Sequence, residues 1–189
     1  MKDIVRKINV SGSKKLSLTR EWLTANGIGG YASGTLSLTP TRRYHGLLIA
    51  ALPYPMGRVV MLSHLEETLV IKNKRYHINT LLTDSDHSAD QIPDFIKEFR
   101  LENGLPCWRI QIGSVILEKK LHLVYLQNTV HIKYTLLSGI SEAGLELEAF
   151  VDFRFHKDAV SINKNPSYYV SVGNKEYEIH KKTALLFLP

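Results

Sequence analysis

The two-residue period of the apolar side chains constrains this chain more than any other feature. Leu145, Leu147, Ala149, Val151, Phe153 and Phe155 fall on one face of an extended segment, with Glu146, Glu148, Asp152 and Arg154 on the other. Val130, Ile132 and Tyr134 alternate with Thr129, His131, Lys133 and Thr135, and Val115, Leu117, Leu121 and Leu123 share a face opposed by Glu118, Lys120 and His122. Successive side chains of a strand point to opposite sides of its sheet, so this spacing predicts strands with one buried face. No amphipathic helix of about ten residues or more is legible, and Asp94–Arg100 fits a short helix or a strand.

The turn residues fit hairpins. Asn103-Gly104 divides Phe95–Leu101 from Leu105–Ile112, Gly113-Ser114 precedes Val115–Leu123, and Asn73-Lys74 and Gly173-Asn174 each separate two short apolar runs. Thr83–Gln91, with Asp84, Ser85, Asp86, His87 and Ser88, reads as a polar loop. Neither a repeat nor a low-complexity tract interrupts this pattern. The expectation is an all-β fold with few or no helices, a large antiparallel β-sandwich of two sheets face to face, as a single domain over residues 1–189.

At 189 residues and 44% hydrophobic content the chain can bury its own core. Cys107 is the one cysteine, which excludes an intrachain disulfide and a cysteine-based zinc site and fits a reducing, cytoplasmic setting. The first residues lack the apolar stretch of a secretory signal, and no run is long enough for a membrane-spanning helix, so no membrane partner is expected. The net charge of +6 is scattered in pairs such as Lys14-Lys15, Arg42-Arg43, Lys119-Lys120 and Lys181-Lys182, which read as solvated faces.

One stretch departs from plain alternation: Glu21-Trp22-Leu23-Thr24-Ala25-Asn26-Gly27-Ile28-Gly29-Gly30-Tyr31-Ala32-Ser33-Gly34-Thr35, followed by Thr41-Arg42-Arg43-Tyr44-His45-Gly46. Gly27-x-Gly29-x-x-Ala32 formally matches a dinucleotide fingerprint, but that motif opens a helix and the residues here continue as strand. Glu21 beside the glycine turn is the most interesting acid, and a structural hydrogen-bonding role competes with catalysis there. Glu66 and Glu67 cannot flank one scissile bond, since neighbours on a strand face opposite ways. Asp84-x-Asp86-His87 lacks the further oxygens of a hard-metal loop, and the other histidines lack paired ligand spacing, so neither metal nor cofactor is expected. Cys107 reads as a small apolar filler. Arg42, Arg43, Tyr44 and His45, with Trp22 and Tyr31, mix cations with aromatics. That mixture could stack nucleobases, stack sugar rings, or pin a domain interface.

The same residues carry a resemblance. Glu21–Thr35 and Thr41-Arg42-Arg43-Tyr44-His45-Gly46-Leu47-Leu48-Ile49-Ala50-Ala51, with Gly57–Leu62, Leu65–Val70, Leu105-Pro106-Cys107-Trp108 and Val151-Asp152-Phe153-Arg154-Phe155-His156, resemble the N-terminal domain of bacterial and archaeal glycogen debranching enzymes, the amylo-α-1,6-glucosidases. The resemblance covers about residues 20 to 160. It implies a supersandwich of the galactose-mutarotase-like kind, followed in the family by an (α/α)6 barrel that carries the hydrolytic carboxylates. On that reading the chain is an N-terminal domain without its catalytic barrel, with no catalytic residue of its own. Its expected partners are that barrel and α-glucan (glycogen). Trp22, Asn26, Tyr31, Arg42, Arg43, Tyr44 and His45 are its substrate-binding or domain-interface candidates. The alternatives are an autonomous sugar-binding or mutarotase-like domain, possessing Glu21 or Asp84 and Asp86 as acids, and a basic β domain binding single-stranded nucleic acid.

Overall fold

The computed structural model describes residues 5–10, 18–79, 94–139, 143–160 and 168–181. The expected Thr83–Gln91 loop, with Asp84, Asp86 and His87, lies outside them. Two compact units, residues 1–158 and 159–189, are described each by itself.

Among the described residues the first unit is a sandwich of two antiparallel sheets. One sheet contains β1 (Val5–Asn9), β7 (Ile96–Glu102), β8 (Leu105–Ile112), β9 (Val115–Leu123) and β10 (Val130–Ser138), adjacent in that order. The other runs β11 (Ala143–Phe155), β5 (Gly57–Ile71), β4 (Gly46–Leu52), β3 (Tyr31–Thr35) and β2 (Glu21–Ala25), with β6 (Lys74–His77) also paired to β5. In the second unit, β12 (Tyr168–Val172) and β13 (Tyr177–Lys181) form a hairpin.

The Asn103-Gly104 turn acts as expected, whereas the β5–β6 turn is Lys72-Asn73, with positive φ of 46° and 63°, and not Asn73-Lys74, because Lys74 already pairs with Ile71 in β6. Asn103 and Gly104 both hold positive φ, 51° and 83°, the left-handed pair that a tight hairpin between β7 and β8 requires. Asp94–Arg100 resolves in favour of strand, because Ile96 and Phe99 are buried in the core shared by the two sheets.

The alternation along Leu145–Phe155 is interrupted. The β11–β5 register shifts at Phe150/Val151 and again before Arg154, and Phe153 takes a positive φ of 50°. Bulges of this kind turn side chains away from a strict two-residue period. The expected single apolar face is therefore not continuous past Phe150, where Phe155 stays exposed at 45%, and Leu147, ahead of the shifts, is exposed at 49%.

Trp108 on β8 anchors the core. It is fully buried, meets Trp22 of the opposite sheet edge-on at 5.3 Å and 79°, and donates from Nε1 to the Leu36 carbonyl at 3.1 Å. Phe99 packs on it at 5.3 Å.

Lys119 departs from the expectation for the paired lysines. It lies on the apolar face of β9 between Leu117 and Leu121 and is 1% exposed, not solvated. Its ammonium donates to Glu67 on β5 of the facing sheet, and the Tyr134 hydroxyl on β10 donates to the same carboxylate oxygen. The Trp108 and Tyr134 rings flank the ammonium at 5.5 and 5.9 Å. Burial and the neighbouring carboxylate push the Tyr134 phenol upward, so it remains a donor.

Removing one partner of a buried ion pair strands the other charge, at a cost of about 3–5 kcal/mol. Lys119→Met should lower stability in urea by that amount. Adding Glu67→Leu should recover most of the loss, and purely additive single and double variants would contradict a direct pair.

Candidate functional site

The glycine-rich turn joins β2 to β3. Gly27 and Gly29 hold φ of +86° and +96°, values strained for any side chain-bearing residue, and a Cβ on Gly30 would lie 2.5 Å from Asn26 Nδ2 and 3.0 Å from the Ile49 carbonyl. A strand follows the turn where a dinucleotide site needs a helix. Asn26 is completely buried: its Oδ1 accepts from Ile28 N–H at 3.2 Å, and its Nδ2 donates to the Gln127 carbonyl at 2.8 Å. Asn128 grips Ala51, donating to its carbonyl at 2.7 Å and accepting its N–H at 2.9 Å. Two asparagines thus lock the β2–β3 and β9–β10 connections and the end of β4 into one unit.

The Thr41–Gly46 segment leans on β2 and β3. Tyr31 and Ser33 both donate from their hydroxyls to the Tyr44 carbonyl, at 3.2 and 3.3 Å. Arg42 Nε donates to Glu21 Oε1, and this bond, ahead of His45, holds the Glu21 carboxyl below its usual range. Thr41 N–H donates to His45 Nδ1 at 3.1 Å, which fixes the neutral tautomer with its proton on Nε2, 3.6 Å from Glu21 Oε1. Burial lowers the His45 pKa against the pull of that carboxylate. Arg154 caps the segment, bonding Asp152 and the carbonyls of Arg43 and Asp158. Arg58 reaches the Gly29 carbonyl at 2.7 Å and lies 6.0 Å from the Tyr31 ring centre. Arg42, Arg43 and Tyr44 are exposed, and Tyr31 is half-buried.

The seven candidates therefore divide. Tyr31, Arg42, Arg43, Tyr44 and His45 come together around one segment, whereas Trp22 and Asn26 belong to the framework beneath it. Trp22 is 5% exposed, and its Nε1 donates to the Thr35 carbonyl at 3.1 Å. Glu21 makes the kind of structural hydrogen bond expected of it, accepting from Arg42 Nε and facing His45.

A second feature escaped the sequence. On the edge of β5 that meets β4 and β6, β4 pairs up to Leu62 and β6 begins at Thr68. Asn79 patches the interval between them: Glu67 N–H donates to its Oδ1 at 2.9 Å, and its Nδ2 donates to the Leu65 carbonyl at 2.9 Å. Beside this patch is a narrow cleft whose walls include Trp22, Thr39, His45, His64, Asn79 and Lys119. Thr39 Oγ1, His45 Nε2 and His64 Nε2 are buried there without a hydrogen-bond partner. Burial, with the Lys119 charge, lowers the His64 pKa to about 4, so this imidazole is neutral at ordinary pH. A lysine on the otherwise apolar face of β9 was the available signal. Among the described residues, no three His, Cys, Asp or Glu side chains gather as a metal site, and no helix is long and apolar enough to cross a membrane.

A family model described as glycogen debranching enzyme N terminal matches residues 20–188. No curated protein and no solved structure matches the chain.

Neutral burial of His64 makes stability depend on pH. The unfolded chain protonates this ring near pH 6.5, and the native state does so only near pH 4. Stability is thus complete above 6.5 and falls as pH drops toward 4. The loss amounts to about 3 kcal/mol, since each tenfold difference in proton affinity between the two states is worth about 1.4 kcal/mol. His45 adds in the same direction. Urea unfolding between pH 7 and about 4.5, above the carboxylate range, should show this slope, and His64→Gln should flatten it.

Proposed function

The chain belongs to the glycogen debranching enzyme N-terminal family, and from that premise we propose that it is the noncatalytic β domain of an amylo-α-1,6-glucosidase. In this reading it supports a catalytic (α/α)6 barrel and lies against the α-glucan chain of glycogen, in the cytoplasm. The observation that carries the reading is the braced cluster of Tyr31, Arg42, Arg43 and Tyr44. Its aromatic and guanidinium groups are outward or half-buried, and the main chain beneath is pinned by Glu21, Ser33 and Arg154. A rigid surface of rings and planar donors suits both a neighbouring protein face and the alternating apolar and hydroxylated sides of a glucose chain.

Titration with maltooligosaccharides by calorimetry tests the glucan contact. The expected result is weak, millimolar binding that Tyr44→Ala and Arg42→Ala each reduce severalfold without unfolding the protein. Absence of heat at millimolar sugar, together with no co-sedimentation with glycogen, would remove the glucan contact. Salt-sensitive binding to single-stranded oligonucleotides would favour a nucleic-acid role instead.

A further inference from the structure

We propose that the cleft beside Asn79 is a socket for a single hydroxyl group of a neutral, polyhydroxylated ligand, occupied by water when the ligand is away. Polar groups this deeply buried are normally satisfied, since an unpaired donor or acceptor forfeits its hydration. Here Thr39 and His64, 1% and 3% exposed, each present an unpartnered polar atom in the wall of one cleft. The His45 Nε2–H is a third, 3.6 Å from Glu21. The break between β4 and β6 makes room for the cleft, and partly exposed Gly34, Pro40 and Ser63 give it an opening to solvent.

Charge and size narrow the ligand. Lys119 is already compensated by Glu67, so the wall has no spare charge for an anion or a cation. The neutral imidazole and the threonine hydroxyl together offer both donors and acceptors, the complement of an alcohol. The free space of about 20 Å³ admits one water-sized group and not a sugar ring. A hydroxyl arm projecting from a larger molecule fits where the whole molecule does not. This deepens the glucan reading and rests on it only for the identity of the larger ligand.

Nitrogen-15 NMR of the histidine imidazoles in the whole protein tests the socket, with glycerol and maltotriose as probes and 1,2-dimethoxyethane, which has no hydroxyl, as control. The His64 ring nitrogens should shift saturably with both polyols and not with the ether. Thr39→Val should weaken the response about tenfold, the scale of one lost hydrogen bond, and Thr39→Ser should restore it. Maltotriose binding by calorimetry with no His64 shift would overturn the socket while leaving the glucan surface intact. A glycerol response without any maltotriose binding would uphold the socket and sever it from glucan. No response to either polyol would mark the cleft as a water-filled gap and overturn the proposal.

Discussion

One ion pair joins the two sheets at the level of their chemistry as well as their packing. Lys119 rises from β9 of one sheet and Glu67 from β5 of the other, and each is almost wholly removed from water. An apolar interface tolerates sliding between sheets, because dispersion and hydrophobic burial have little directionality. A buried charge pair does not, since its energy collapses when the partners separate. The Tyr134 hydroxyl and the Trp108 and Tyr134 rings flank these charges, while Glu67 Oε2 is buried without a hydrogen-bond partner. In that registration Trp22 meets Trp108 edge-on and the cleft lies beside Lys119.

Much of the architecture was legible because strand alternation and turn chemistry are local. Val115–Leu123, the Asn103-Gly104 hairpin and the strand after the glycine turn read directly from residue order. Lys119 did not, because it appears as one of a lysine pair while Lys120 alone faces outward, bonded to Glu102. Period two assigns Lys119 to the apolar face, but only its partner, 52 positions away, explains how it survives there. The bulges of β11 were equally invisible, as they depend on the register adopted against β5. The candidate site was legible as a group of residues and not as a surface. Residue type could not separate Tyr44, which faces out, from Trp22, which is enclosed by the opposing sheet.

Glu21 shows how a carboxylate beside arginine and histidine can brace a surface segment. Its oxygen holds Arg42 and faces His45, and the result is a stiff backbone beneath exposed side chains. A surface that recognises a partner or a sugar gains from such stiffness, because less side-chain and loop entropy is lost on contact.

The asparagine clasps set where the chain length can vary. The side chains of Asn26 and Asn128 fasten the β2–β3 and β9–β10 connections and the end of β4 to one another through bonds to the main chain. At the Asn103-Gly104 and Gly113-Ser114 tips, by contrast, no atom lies within 4 Å of where a glycine Cβ would stand. Insertions and fused tags belong at those tips, where added chain extends into open solvent, and the clasped end is the part of the domain whose length is fixed.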